Sequence, residues 1–122
     1  MFRELKKMFG KKNKTKYNNE KIIVDGIKFD SKREYGRWFE LKMRERLGEI
    51  TDLQRQVEFP LSINGKPLLS KAKRPLKYIA DHSYVEKGIL HVEDVKGFQT
   101  EASKLKIAIF EAIYNIKVEI IK

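Results

Sequence analysis

Two runs of strand-forming residues, Leu76 to Val85 and Ile89 to Lys96, are separated only by Glu86-Lys87-Gly88. A connection that short forces the two strands to lie antiparallel and side by side. With Lys87-Gly88 as a two-residue loop, Glu86 faces Ile89, and counting outward sets Asp81 opposite Asp94 and Ile79 opposite Lys96. Side chains alternate along a strand, so Asp94 and Lys96 share one face, together with Ser83, Val85, Leu90 and Val92. Two carboxylates opposed across a ladder repel, and inside a sheet they cost stability unless a proton or a cation lies between them. A divalent metal supplies that cation. A frayed strand end screened by water, or an ordinary Asp94 to Lys96 ion pair, answers the same charge without any ligand.

The rest of the chain arranges itself around this hairpin. Ile22-Ile23-Val24 and Ile27-Lys28-Phe29 flank Asp25-Gly26, which suits a second tight hairpin. Ser31 is placed to cap a helix carrying Tyr35, Trp38, Phe39, Leu41, Met43 and Leu47 at helical spacing until Gly48 stops it. From Leu53 the period becomes two, with Val57 and Phe59 in register, Arg55 among them, and Pro60 interrupting the ladder. Asn64-Gly65 marks a turn, and Ser70 to Pro75 reads as a basic loop carrying Lys71, Lys73 and Arg74. Thr100 caps a second helix with an expected buried stripe of Leu105, Ala108, Ile109, Ala112 and Ile113, and Lys117 to Ile121 forms a last strand. The order predicts an α/β (mixed α+β) domain, αβββαβ, with a central mixed sheet flanked by helices.

At 122 residues the chain has the length of one domain, read as 22–122 behind a basic, flexible N-terminal arm of residues 1–21. Phe2, Leu5, Met8 and Phe9 give the start of that arm a short amphipathic pattern. No apolar run approaches the roughly 18 to 20 residues of a membrane span, and no signal peptide is evident, so an intracellular protein without a membrane is expected. The absence of cysteine excludes disulfides and thiolate metal sites, leaving carboxylates, which favour hard ions such as Mg2+ or Mn2+. A net charge of +10 points to a polyanionic partner, nucleic acid foremost, since neutralising phosphates releases counterions. A solvated basic surface or an anionic membrane is the alternative meaning of that charge.

Glu34 has two readings. Ser31-Lys32-Arg33-Glu34 has the spacing of a capping box. Glu34 also stands one helical turn before Trp38, at the edge of the stripe that faces the sheet.

A glutamate on the first helix, Ala80-Asp81 at the end of a strand, and Asp94-Val95-Lys96 on the next, in this order of elements, resemble the PD-(D/E)XK nuclease superfamily and its restriction-endonuclease-like core. The stretches FDSKREYGRWFELK, YIADHSYVEKGILHVEDVKG and TEASKLKIAIF look like a small phage-encoded branch related to Holliday-junction resolvases, from about Ile22 onward. Alanine stands where the family pattern has proline before the first aspartate. The resemblance implies a metal-dependent endodeoxyribonuclease in phage DNA recombination, repair or processing. Asp81, Asp94 and the Val95 carbonyl would bind Mg2+ or Mn2+, with Glu34 completing the shell. Lys96 would orient or help deprotonate the attacking water and offset charge on the pentacovalent phosphate. It also implies branched DNA as substrate and, by analogy, a homodimer.

Glu93 points away from the cluster and is the second choice of ligand. His82 and His91 fall on the face opposite Asp81, where packing or hydrogen bonding outweighs ligation. Thr100, Gln99, Lys104 and Lys106, near the start of the second helix, are candidate phosphate contacts alongside the Lys71, Lys73 and Arg74 loop, or else simply an exposed face. Trp38 reads as core rather than as a stacking platform. The rival functions are a non-catalytic nucleic-acid-binding module and a phage interaction protein.

Overall fold

The computed structural model describes residues 13–14 and 20–122, with side chains from Lys21 onward. The amphipathic pattern at Phe2 to Phe9 lies outside the described residues. The chain divides into two compact units, Met1–Glu40 and Leu41–Lys122.

In the first unit, β1 (Asn13–Lys14), β2 (Glu20–Val24) and β3 (Ile27–Phe29) form an antiparallel sheet in that order. Asp25 (φ +51°) and Gly26 (φ +78°) make the expected two-residue turn, pairing Val24 with Ile27 and Ile22 with Phe29. Strand pairing therefore starts inside the basic stretch, where Asn13 faces Lys21. Helix α1 (Lys32–Arg46) begins where the Ser31 hydroxyl accepts the Glu34 amide at 3.1 Å. Ile22, Val24, Phe29 and Tyr35 form a small core with Trp38 and Phe39 packed against it, which makes Trp38 a packing residue.

The second unit holds a four-stranded mixed sheet in the order β4 (Thr51–Pro60), β7 (Lys77–Glu86), β8 (Ile89–Val95), β9 (Val118–Ile121). Between β4 and β7 a small hairpin, β5 (Ser62–Ile63) and β6 (Lys66–Pro67), turns on Asn64-Gly65. Between β8 and β9 runs α2 (Glu101–Tyr114), capped by the Thr100 hydroxyl, which accepts the Ser103 amide at 3.1 Å. That crossover is what allows β9 to lie parallel to β8, since a parallel neighbour cannot be reached by a tight turn. The protein is thus a mixed α/β fold with two helices among the described residues, none long and apolar enough to cross a membrane.

Lys87 (φ +53°) and Gly88 (φ +75°) form the two-residue turn of the β7–β8 hairpin, and the register follows: Glu86 faces Ile89, Ser83 faces Val92 and His82 faces Glu93. Paired residues share a face, so Val92 and Tyr84 look out from opposite sides. Val92 joins the larger core, built from Leu61, Tyr78, Ala80, Ile107, Phe110 and Val118. Tyr84 joins Leu41 and Ile50 on the other side. Tyr78 and Ala80 have the same parity as Tyr84, yet lie with Val92. The alternation of faces along β7 is therefore broken between Ala80 and His82, at Asp81.

The neighbouring strand is irregular at the same level. Arg55 pairs with His82 and Val57 with Ala80, leaving Gln56 and Asp81 between them outside the register, and Gln56 takes a left-handed φ of +54°.

Both helices bury part of the stripe that spacing suggested, Tyr35 and Leu41 on α1 with Trp38 and Phe39 packed on the core, and Ile109 and Ile113 packed on the core from α2, but each departs from it in part. On α2 the buried side chains are Ile107 and Phe110, whereas Leu105, Ala108 and Ala112 are exposed. Phe110 decides this by packing its ring against Phe59, Tyr78 and Tyr114, with centroids 4.8, 4.9 and 4.9 Å away. Met43 on α1 and Leu47 just past its end are exposed, and Arg44 covers the sheet instead. Its guanidinium lies 5.9 Å from the Tyr84 ring centre and pairs with Glu49 and Glu86.

Candidate active site

Asp81 and Asp94 meet one step beyond the last regular pair of the β7–β8 ladder, His82 with Glu93. There the strands are joined through side chains. Asp94 Oδ1 accepts the Asp81 amide at 3.2 Å, and Asp81 Oδ2 accepts the Val95 amide at 2.8 Å. Each carboxylate thus satisfies a backbone donor that the interrupted ladder would otherwise leave without a partner. Asp94 Oδ2 accepts the Tyr78 hydroxyl at 2.6 Å, and Lys96 Nζ stands 4.0 Å from the same oxygen.

Asp94 is buried and Asp81 half-buried. Burial pushes the Asp94 carboxyl above its ordinary range and the charge of Asp81 adds to this, against the opposing pull of the Tyr78 hydroxyl, Lys96 and the Asp81 amide. Burial, then the bond to Asp94, pushes the Tyr78 phenol far above its usual value, so it remains a donor at any physiological pH. Two carboxylates brought together at a partly buried position are donor chemistry suited to a hard divalent cation. Among the described residues no three His, Asp or Glu side chains group as a metal cluster. A cation held by two carboxylates fills its other positions with water or substrate oxygens, as magnesium ordinarily does.

Beside the pair lies a cleft of about 400 Å³, bordered by Asp94, Lys96, the start of β7 and, from α2, Ser103 and Lys106. Lys106 is thereby brought to the site, while Lys104 is exposed and ion-paired with Glu101, and Thr100 is committed to capping. Lys71, Lys73 and Arg74 are exposed on a loop closed by Ser70, whose amide donates to the Arg74 carbonyl at 2.9 Å and whose hydroxyl accepts the Arg74 amide at 3.2 Å. The loop runs directly into Pro75 and Leu76, which border the cleft.

Glu34 is buried in the first turn of α1, in the unit that ends at Glu40. Glu93 lies on the Tyr84 side, fully buried, accepting the Tyr84 hydroxyl at 2.6 Å with His82 Nδ1 3.7 Å away. His91 pairs with Glu119 at 2.8 Å and stacks on Tyr84. Sequence reasoning passed over Tyr78 and Ser103. Tyr78 carried one usable signal, a hydroxyl on an apolar strand position three residues before Asp81, but strict alternation assigns it to the wrong face.

The family model that matches the chain covers residues 14–122 and is described as Protein of unknown function (DUF1064). No curated protein matches the chain. No solved structure matches it either.

Proposed function

The chain belongs to the DUF1064 family, and we propose that it is a metal-dependent endonuclease that hydrolyses phosphodiester bonds in DNA, selecting by structure as the Holliday-junction resolvases it resembles do. The observation that carries this reading is the pairing of Asp81 with Asp94, beside a cleft bordered by Asp94, Lys96 and Lys106. Mg2+ or Mn2+, held by Asp81 and Asp94, supplies an activated water and neutralises phosphate charge when bound.

The chain's own groups do the rest. Tyr78 fixes one oxygen of Asp94, so the carboxylate keeps a single orientation. In the reaction the water gives up one proton as its oxygen bonds to phosphorus, the bond from phosphorus to the leaving sugar oxygen breaks, and that oxygen takes up one proton, so the two transfers balance. The Lys96 ammonium, two residues on from Asp94, orients the water and offsets charge on the pentacovalent phosphate. Lys106 holds a non-reacting phosphate oxygen, and Lys71, Lys73 and Arg74 engage the backbone further along. Glu34 enters this reading from the resemblance alone, as does phage DNA recombination or repair as the setting.

A second reading has an observation of its own. Both carboxylates already accept backbone amides, so the pair can serve as structural support in a non-catalytic nucleic-acid-binding module. One experiment separates the two: labelled four-way junction, duplex and single-stranded DNA incubated with Mg2+ or Mn2+, wild type beside Asp94→Asn and an EDTA control. Cutting that vanishes in both controls supports the nuclease. Tight, salt-sensitive binding without cutting assigns the binding module.

A further inference from the structure

β4 and β7 lie side by side and antiparallel up to the pair Pro60 with Lys77. A turn of about two to five residues closes such a pair, yet the chain instead runs through residues 61–76 before it returns. That excursion is ordered at its root. The Leu61 amide donates to the Leu76 carbonyl at 3.1 Å, the Leu68 amide to the Leu61 carbonyl at 2.8 Å and the Leu76 amide to the Leu68 carbonyl at 2.8 Å. Leu61 is fully buried in the larger core, with Leu68 and Leu76 packed against it. Beyond this root, residues 63–67 and 71–75 are all exposed, so the core does not account for them. They carry Lys66, Lys71, Lys73 and Arg74, and no acidic residue stands between Glu58 and Asp81. Ile63, 50% exposed, pairs with Lys66 across the β5–β6 hairpin, so an apolar and a cationic side chain share one face of its tip. A loop kept only for solubility needs neither the backbone ties nor an apolar residue at its tip.

We infer that this excursion docks on a B-form DNA duplex, with the β5–β6 hairpin entering the major groove and the Lys71 to Arg74 loop lying on the phosphate backbone beside it. The major groove, about 12 Å wide and 8.5 Å deep, admits a two-stranded ribbon. Asn64 at the turn stands three residues past buried Leu61, roughly 10 Å at the rise of a strand, which spans that depth. Ile63 offers the apolar contact that a thymine methyl accepts, and Lys66 a donor for guanine N7 and O6. The cations of the loop supply the part of the affinity that is independent of sequence. The inference rests on the nucleic-acid half of the reading above and names the form of its partner, since the major groove of an A-form RNA duplex is too deep and narrow for side chains to read. The excursion ends at Pro75 and Leu76, which border the cleft, so a duplex held there is contiguous with the proposed site.

The test is dimethyl sulfate probing of an end-labelled DNA duplex bound by the full-length protein in EDTA, where no cutting occurs. The reagent methylates guanine N7 in the major groove and adenine N3 in the minor groove, so one gel reads both grooves. Wild type should protect guanine N7, leave adenine N3 reactive, and bind the DNA duplex more tightly than an RNA duplex of the same sequence. Ile63→Asn combined with Lys66→Gln, both at exposed positions, should melt as wild type does, lose the N7 protection and bind about tenfold more weakly. Lys71→Gln, Lys73→Gln and Arg74→Gln together should keep the N7 pattern at saturation and lower the salt slope by about three. The inference is overturned by a wild type that does not bind the duplex, protects no N7, protects adenine N3 alone or holds RNA duplex equally well, and by N7 protection undiminished in the hairpin variant. Cleavage with Mg2+ or Mn2+ is scored separately. N7 protection without cutting sinks the nuclease reading alone, and cutting without N7 protection sinks this inference alone.

Discussion

Asp94 takes the amide of Asp81 at 3.2 Å, and Asp81 takes the amide next after Asp94, that of Val95, at 2.8 Å. The two acids stitch the strands together where the ordinary ladder stops. Their carboxylates thus have two employments, one in holding β7 to β8 and one in the chemistry proposed for them, and mutations should separate the two.

Asp94→Asn should change how stability depends on pH in the metal-free protein. The folded state holds the Asp94 proton more tightly than the unfolded chain, whose aspartates titrate near 3.8. Native protein therefore binds more protons across the window above that value, and stability falls as pH rises through it. The favourable contribution is present below 3.8 and is lost as pH passes the raised folded value. Urea unfolding in EDTA across this window should show Asp94→Asn gaining on wild type as pH rises. A difference that is flat or slopes the other way refutes the assignment.

Lys96→Ala should remove cleavage while leaving binding and folding nearly intact. Loss of one preorganised charge-stabilising group typically costs about 100- to 1,000-fold in rate. The ion pair with Asp94 is loose at 4.0 Å and the side chain partly exposed, so its contribution to stability is of order 0–1 kcal/mol. Single-turnover cleavage beside thermal melting checks both halves, and unchanged cleavage would remove Lys96 from the site.

Mg2+ or Mn2+ should stabilise the wild type and not Asp81→Asn. A ligand present at a hundred times its dissociation constant adds about 2.7 kcal/mol to a two-state protein. Melting temperatures over a metal titration provide the measurement. Equal shifts in both proteins would place the metal elsewhere.

Phe110→Ala should be the most damaging single change in α2. The ring is fully buried among Phe59, Tyr78 and Tyr114, and truncating such a residue costs about 3–5 kcal/mol. Leu105→Ala, at 62% exposure, should stay within about 0.5 kcal/mol. Denaturant midpoints compare the two directly, and equal costs would restore Leu105 to the core.

These contrasts show where the sequence is informative. The Lys87-Gly88 turn leaves one register open to the hairpin, so the opposition of Asp81 and Asp94 was legible from spacing alone, and so were the turns at Asp25-Gly26 and Asn64-Gly65. The break in alternation at Asp81 was not. It coincides with the positive φ of Gln56 on a strand far away in sequence, and nothing in the local pattern of either segment announces it. Helix α2 carries enough apolar residues to offer several stripes, and the choice among them belongs to Phe59 and Tyr78, some thirty to fifty residues earlier. Arg44 displaced Met43 and Leu47 for a similar reason: Tyr84 and Glu86 give its planar cation a surface and a partner that an aliphatic chain cannot use.

Every residue bordering the cleft falls between Pro75 and Lys106, on one hairpin and the helix that follows it. Contacts so close along the chain close quickly, whereas β9 must wait for the whole of α2 to be laid down before it can join β8. The region proposed for chemistry is thus expected among the early structures of the folding chain and β9 among the late ones. Strain placed in the Lys87-Gly88 turn should then slow refolding, and a truncated Val118 should mainly hasten unfolding.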